Sequence, residues 1–324
     1  MRRSALLPVI LAFISPTPLA FAKEPVDWVD PMLGTANSRW MLVPGPSMPF
    51  GMVNLSPDTQ EQVWNGGHDY HSTSIMGFSH IHSWVMAGLL TMPTNGPLKV
   101  LPGTEEQPDT GYRSRYSHDT EVARAGYYAV TLDDYGIRAE LTATQRTGFQ
   151  RYTFPESTSS RILFDLKFPD EYGFRLYDGK VTQVSDTEIE GYSTQLGRGI
   201  NSRLENDYKV HFVARFSKPI ERFGGWNGGE NIQHDVKTVL SDGDLGAFVE
   251  FSTGKDEVVM LKTGISLVSI EQARLNLDTE QKEFGWDFDA CREAGRQTWN
   301  KLLKTIEVQT DNPADMTKFY TNLY

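Results

Sequence analysis

The chain has 324 residues, of which 39% are hydrophobic and 11% aromatic, and a formal net charge of -11. That length allows one large domain or two ordinary ones, and acidic charge spread along the chain without an acidic tail argues against nucleic acid as the partner. The single cysteine, Cys291, excludes an internal disulfide and a zinc site of the multi-cysteine kind, and its helical context makes it a small core residue.

Arg2 and Arg3 precede an apolar run from Ala5 to Ile14, and Ala20-Phe21-Ala22 then offers small residues at the positions a signal peptidase reads. Residues 1–22 therefore read as a secretory signal, which makes the protein secreted or periplasmic. The run is too short to span a bilayer and is broken by Pro16 and Pro18, and no later stretch is long and apolar enough, so no membrane is expected as a partner. Lys23 stands where a lipoprotein anchor needs a cysteine.

Between Pro44 and Gly88 lie four of the seven histidines, His68, His71, His80 and His82, together with Trp64 and Trp84. His80 and His82 alternate and so share one side of a strand, while His68 and His71 fit one face of a turn or helix. Four imidazoles suit zinc or copper in principle, but their spacing matches no familiar metal motif and none is assigned as a ligand. Sugar recognition accounts for the mixture better, because a sugar presents apolar C–H faces and hydroxyl rims to an aromatic plate and a few convergent polar groups. Trp64, His68, Asp69, His80, His82 and Trp84, with Tyr70 beside them, offer that set. Hydrolysis of a glycosidic bond needs two carboxyl groups flanking it. Asp58, Asp69, Asp133, Asp134, Asp165, Asp170 and Glu171 are available, yet most sit beside turn or strand signals and no pair stands out, so no catalytic residue is assigned.

The middle of the chain is β. Tyr127–Leu132 and Ile137–Ala143 flank Asp134-Tyr135-Gly136 as a hairpin, and Gly148–Phe154, Arg161–Leu166, Glu188–Tyr192, Tyr208–Phe216, Ala247–Ser252 and Glu257–Thr263 are further strands. Strands that follow one another without intervening helices imply a large antiparallel β-sandwich. Gly197–Gly199 and Gly224–Gly229 read as loops; the second lacks the strand-then-helix context of a phosphate loop.

After Thr263 the period becomes helical. Ser269 with Gln272 is a capping box for a helix through Leu277, and a longer helix from Asp287 to Ile306 places Phe288, Cys291, Gly295, Trp299, Leu302 and Ile306 on one face. Asn312 caps and Pro313 opens a last helix, with Met316, Phe319, Tyr320, Leu323 and Tyr324 at helical spacing and no capping glycine or polar tail after it. The expectation is a signal at 1–22, a sandwich over 23–268, linker helices over 269–311 and, at 312–324, the start of a truncated helical domain.

Several blocks carry a resemblance. Val26-Asp27-Trp28-Val29-Asp30-Pro31-Met32-Leu33-Gly34-Thr35, Pro44-Gly45-Pro46, Met48 to Thr59 and Gly77-Phe78-Ser79-His80-Ile81-His82 are similar to the amino-terminal region of family 92 of the glycoside hydrolases. The similarity continues through Ala125–Val130, Ala139–Thr144, Arg151–Pro155, Gly264–Ser266 and Phe319–Tyr324. It implies a calcium-dependent, inverting exo-α-mannosidase built from an amino-terminal β-sandwich and a carboxy-terminal (α/α)6 barrel, acting on a mannose-containing glycan. It further implies that the general acid, the base and the calcium ligands lie on the barrel, of which this chain holds only the first helix, and that the sandwich supplies part of the substrate pocket. Trp64 leads the sugar-contacting candidates, followed by His68, Asp69 and His80. The chain departs from the commoner family pattern at Trp40-Met41 and over Ser83–Gly88, which leaves the linkage open. The expected function is the sugar-binding domain of a secreted mannosidase, catalytically incomplete in this chain, which is either a fragment of a split or interrupted reading frame or the partner of a separately encoded barrel. The alternative is a stand-alone carbohydrate-binding protein.

Overall fold

The computed structural model describes residues 23–36, 42–59, 67–83, 86–167, 175–198, 205–229 and 231–324. The expected signal at 1–22, Trp64 and Trp84 lie outside them.

Two antiparallel sheets face each other. The first has seven strands, in spatial order Ser56–Asp58, Gly77–Ser83, Met86–Thr94, Ser157–Asp165, Leu245–Thr253, Arg222–Asn227 and Asn231–His234. The second has nine: Thr238–Ser241, Arg175–Gln183, Glu188–Arg198, Glu205–Phe216, Glu257–Ser266, Thr147–Phe154, Ile137–Ala143, Tyr127–Leu132 and Val122–Arg124. Alternation along each strand sends one set of side chains into the space between the sheets. Phe164 of the first sheet stacks on Phe212 of the second with ring centroids 6.0 Å apart, and Phe216, Phe248 and Phe251 are buried with them. The hairpin through Asp134-Tyr135-Gly136 forms as expected, with Leu132 opposite Ile137 and Gly136 at φ +62°.

Two loop expectations fail. Gly197 and Arg198, expected in a loop, end the strand Glu188–Arg198, paired with Asn206 and Glu205, and Gly199 lies outside the described residues. Gly224–Asn227 does not loop either; it belongs to the strand Arg222–Asn227. Its glycines serve close packing: a Cβ on Gly224 would lie 2.4 Å from both the Gln233 carbonyl oxygen and the Phe248 ring, and one on Gly225 would lie 2.4 Å from the Gly246 carbonyl oxygen. Glycine in a strand interior marks such an approach as readily as it marks a turn.

The nine-stranded sheet is covered on its second face by helices. The first, α1, spans Ile270–Glu280, with the Ser269 hydroxyl accepting the Gln272 N–H. The second, α2, spans Phe288–Leu303 and is capped by Asp287, whose carboxylate accepts the Ala290 N–H. The third, α3, spans Pro313–Leu323, capped by Asn312 through the Ala314 N–H. Each cap satisfies an amide that the first helical turn leaves without a backbone partner. Ala273 and Leu277 of α1 lie on Val213, and Gly264 is what lets the helix approach: a Cβ there would meet the Ala273 carbonyl oxygen at 2.4 Å. Phe288 of α2 meets Phe149 edge to face at 5.3 Å, with Cys291 buried beside them. Burial pushes the Cys291 thiol up to about 11, as befits a core residue and not a nucleophile. The buried stripe of α2 ends on Trp299 and Leu303; Leu302, expected on the same face, is exposed, and so is Ile306, which lies beyond the helix end. Tyr320 of α3 is buried with Val26, Val29, Trp299 and Leu303, so the N-terminal turn Pro25–Trp28 is held between α2 and α3. No described helix is long and apolar enough to cross a membrane.

Candidate functional site

Gly77–Ser83 forms the expected strand and buries His80 and His82 in one polar region, while His68 joins a second around Glu121. His80 lies between the sheets. Its Nδ1–H donates to the Leu89 carbonyl at 2.9 Å, and its Nε2 lies 3.3 Å from Gln150 Nε2. The Gln150 orientation fixes the imidazole tautomer: Gln150 Oε1 accepts from the Tyr152 hydroxyl and from Thr91 Oγ1, so its amide N–H groups must face His80, which then accepts at Nε2. His80 is thus a neutral ring, and burial lowers its proton affinity to about 4, with the nearby His82 adding to the effect and the Leu89 carbonyl opposing it. Gly148 makes room for it, since a Cβ there would sit 2.8 Å from the ring.

His82 has the opposite surroundings. Its Nδ1 donates to the Asn54 carbonyl at 2.7 Å and its Nε2 donates to Asp58 Oδ1 at 2.8 Å, so both nitrogens face oxygen acceptors. Asp58 Oδ2 accepts from Ser79 Oγ at 2.5 Å, and both side chains of the pair are buried.

The second cluster surrounds Glu121. Its Oε1 accepts from His68 Nε2 at 3.0 Å and from the Tyr128 hydroxyl at 2.5 Å, and its Oε2 accepts from His118 Nδ1 at 2.5 Å. Burial alone would raise this carboxyl, but the bond and charge from His68 and the bonds from Tyr128 and His118 outweigh it and hold the group below its ordinary value. His118 stacks on Tyr70 with centroids 4.0 Å apart and donates from Nε2 to the Tyr70 carbonyl at 2.8 Å. Asp69 closes a local turn by accepting the His71 N–H at 2.8 Å, while its own N–H donates to Thr59 Oγ1 at 2.9 Å. The Thr59 N–H donates to the Gly67 carbonyl at 2.7 Å, and the Arg113 guanidinium donates to the Thr59 carbonyl. The chain therefore leaves at Thr59 and returns at Gly67 through clamped ends, and the stretch between them carries Trp64.

Two buried polar atoms here, His68 Nδ1 and the Tyr116 hydroxyl, have no hydrogen-bond partner among the described residues. The two rings stand 6.5 Å apart, and an unpaired buried polar group costs about 1–3 kcal/mol. Asp69 and the exposed Tyr70 lie near them. Of the sequence candidates, the structure brings His68 and Asp69 together at this place, puts His80 and His82 in the adjoining strand with ring nitrogens engaged by protein groups, and leaves Trp64 and Trp84 outside the described residues. Glu121, His118 and Tyr116 were missed by sequence reasoning. Their signal is spatial, because Glu121 lies 53 residues from His68. Among the described residues, no three or more His, Cys, Asp or Glu side chains form a group that could hold a metal ion.

Comparison with known proteins extends this picture. The structure of a family GH92 α-mannosidase from Bacteroides thetaiotaomicron, 32% identical, aligns with TM-score 0.81 over 93% of this chain and 40% of that one. The same protein in complex with mannoimidazole aligns with TM-score 0.80 over 92% of this chain and 39% of its own. An uncharacterized secreted glycosidase from Arthroderma benhamiae is 25% identical over 92% of this chain and 40% of its own length. The chain thus spans about 40% of the length of these relatives. The Glycosyl hydrolase family 92 N-terminal domain matches residues 28–266, taking in both sheets and both histidine clusters, and the family 92 catalytic domain matches residues 272–324, taking in the three helices. Sandwich, helices and polar clusters fall in the order of one family, and this chain belongs to glycoside hydrolase family 92.

Proposed function

We propose that this chain is the sugar-binding amino-terminal part of a secreted mannosidase and supplies one wall of a mannoside pocket. The observation that carries the reading is the match of residues 28–266 to the family's N-terminal domain, together with a 32% identical α-mannosidase that aligns over nearly the whole chain in complex with mannoimidazole. In this reading Trp64 and Trp84 offer apolar plates to the C–H face of a mannose unit, and Asp69 and His68 meet its hydroxyls. His80 and His82 hold the strand behind them through the Leu89, Asn54 and Asp58 bonds. The general acid, the base and calcium belong to the helical catalytic domain, encoded with this chain or apart from it, and a secretory signal at 1–22 directs the protein out of the cytoplasm.

The test is calorimetric titration of the full chain with mannoimidazole and with methyl α-mannoside, beside turnover of an aryl α-mannoside with and without calcium. The expected result is binding that is lost in Trp64→Ala, with no turnover by the chain alone. Calcium-dependent turnover by the isolated chain would overturn the assignment of the catalytic groups to other residues, and absence of mannoside binding would overturn the pocket.

A further inference from the structure

On the outer face of the nine-stranded sheet, where α1 ends and the chain turns through Gln281–Trp286 toward α2, a cavity of about 310 Å³ opens beside Arg215 and Lys262. Three cations line it, Arg215, Lys262 and Lys282, against one carboxylate, Asp278. Asp278 is already taken by Arg215, to which it is bonded at 2.5 Å, and Arg215 also holds Glu188. Lys262 and Lys282 have no carboxylate partner among the described residues. The Lys262 ammonium, nearly buried, donates to the Gly285 carbonyl and stands 4.5 Å from the Phe149 ring centroid and 5.0 Å from that of Trp286. Burial lowers its proton affinity to about 8, the mark of an ammonium short of compensating negative charge.

Gln281 adds an independent constraint. The Glu280 carboxylate only accepts, so the Thr144 hydroxyl must donate to it; Thr144 Oγ1 then accepts from Thr147 at 2.6 Å, and Thr147 Oγ1 accepts from Gln281 Nε2 at 2.6 Å. This relay fixes the amide with its Oε1 on the other side, buried and without any donor. Trp286 is 40% exposed and lines the same cavity. The cavity therefore presents unspent positive charge and an apolar plate, with the donorless Gln281 Oε1 buried among the residues that line it. A simple anion satisfies only the first, and an uncharged sugar only the second.

We propose that this cavity binds a pyranose carrying an anionic group, its carboxylate or phosphate on Lys262 and Lys282 and its C–H face on Trp286. The site goes beyond the mannoside pocket and does not depend on it: a Trp64→Ala chain that no longer binds mannoimidazole retains this binding. The test is calorimetric titration of the full chain with glucuronic acid, glucose 6-phosphate, methyl glucoside and inorganic phosphate. Both anionic sugars are expected to bind about tenfold tighter than methyl glucoside, the worth of one charge-assisted contact. Lys262→Met abolishes that preference, and Lys282→Ala, a surface change that leaves the core intact, reduces it. Trp286→Ala weakens both anionic sugars about fivefold and leaves inorganic phosphate unchanged. Binding of inorganic phosphate equal to glucose 6-phosphate and indifferent to Trp286→Ala would overturn the proposal in favour of a bare anion site. Absence of binding, or a preference untouched by both lysine variants, would overturn it outright.

Discussion

Substituting His80 by glutamine tests whether this histidine is a neutral core group. In the folded chain its proton affinity falls from 6.5 to about 4, because burial disfavours the cation and the nearby His82 adds to the effect, against the opposing Leu89 carbonyl. Between those two values the unfolded chain binds a proton that the folded chain refuses, so stability falls as the pH drops through this window and recovers as it rises. Integrating this difference from about pH 7 to about pH 4.5 gives a loss of about 2 kcal/mol, close to complete by pH 4. His80→Gln keeps an amide donor for the Leu89 carbonyl but cannot titrate. Denaturant unfolding of both proteins at several pH values is the assay, and their difference cancels the acid response of the carboxylates they share. The stability gap between parent and variant should narrow by about 2 kcal/mol on acidification from pH 7 to 4.5. A gap that stays constant across this range would refute the neutral buried ring, and a gap that widens would reverse its sign.

Three further outcomes follow from the packing. Asp58→Ala strands the buried His82 ring beside Ser79 and should cost about 3–5 kcal/mol in denaturant unfolding, whereas Asp58→Asn keeps an acceptor for His82 and should cost less than half of that. Gly264→Ala forces a methyl group against the Ala273 carbonyl and should lower stability by about 1–3 kcal/mol while displacing α1, seen as faster hydrogen exchange over Ile270–Glu280. Glu121→Gln weakens the bonds to His68 and His118 and should cost about 2–3 kcal/mol at neutral pH. Because the Glu121 carboxyl is held below 4.5 in the folded chain, its contribution is complete above that value and fades as the pH falls through the folded value, so parent and variant should converge in stability in acid.

What was legible in the sequence was what local physics decides. Ser269, Asp287 and Asn312 with Pro313 marked three helix starts because a cap is a bond between residues two or three apart. The strands around Asp134-Tyr135-Gly136 were legible from alternation and the turn. What needed the structure was decided by partners far along the chain. Gly224 and Gly225 looked like a loop because the reason for them, Phe248 and the Gly246 carbonyl, sits on a neighbouring strand. Alternation put His80 and His82 on one side of a strand but could not say that one ring would be neutral beside Gln150 and the other would donate twice, to Asn54 and Asp58. Sugar chemistry singled out His68 and Asp69, while Glu121, the acid that gathers His68, His118 and Tyr128, carries no local signal.

The burial of the nine-stranded sheet on both faces bears on how this protein can be divided. Recognisable family segments part between residues 266 and 272, yet Phe149, Val213 and Gly264 on one side of that gap are sealed by Phe288, Leu277 and Ala273 on the other. A chain cut at residue 266 would present a greasy sheet face to water and aggregate, whereas one extended past Leu303 carries its own cover. The smallest unit that keeps this sheet face covered is therefore the sandwich with α1 and α2 attached, and the seam that sequence similarity draws runs through the middle of a packed layer.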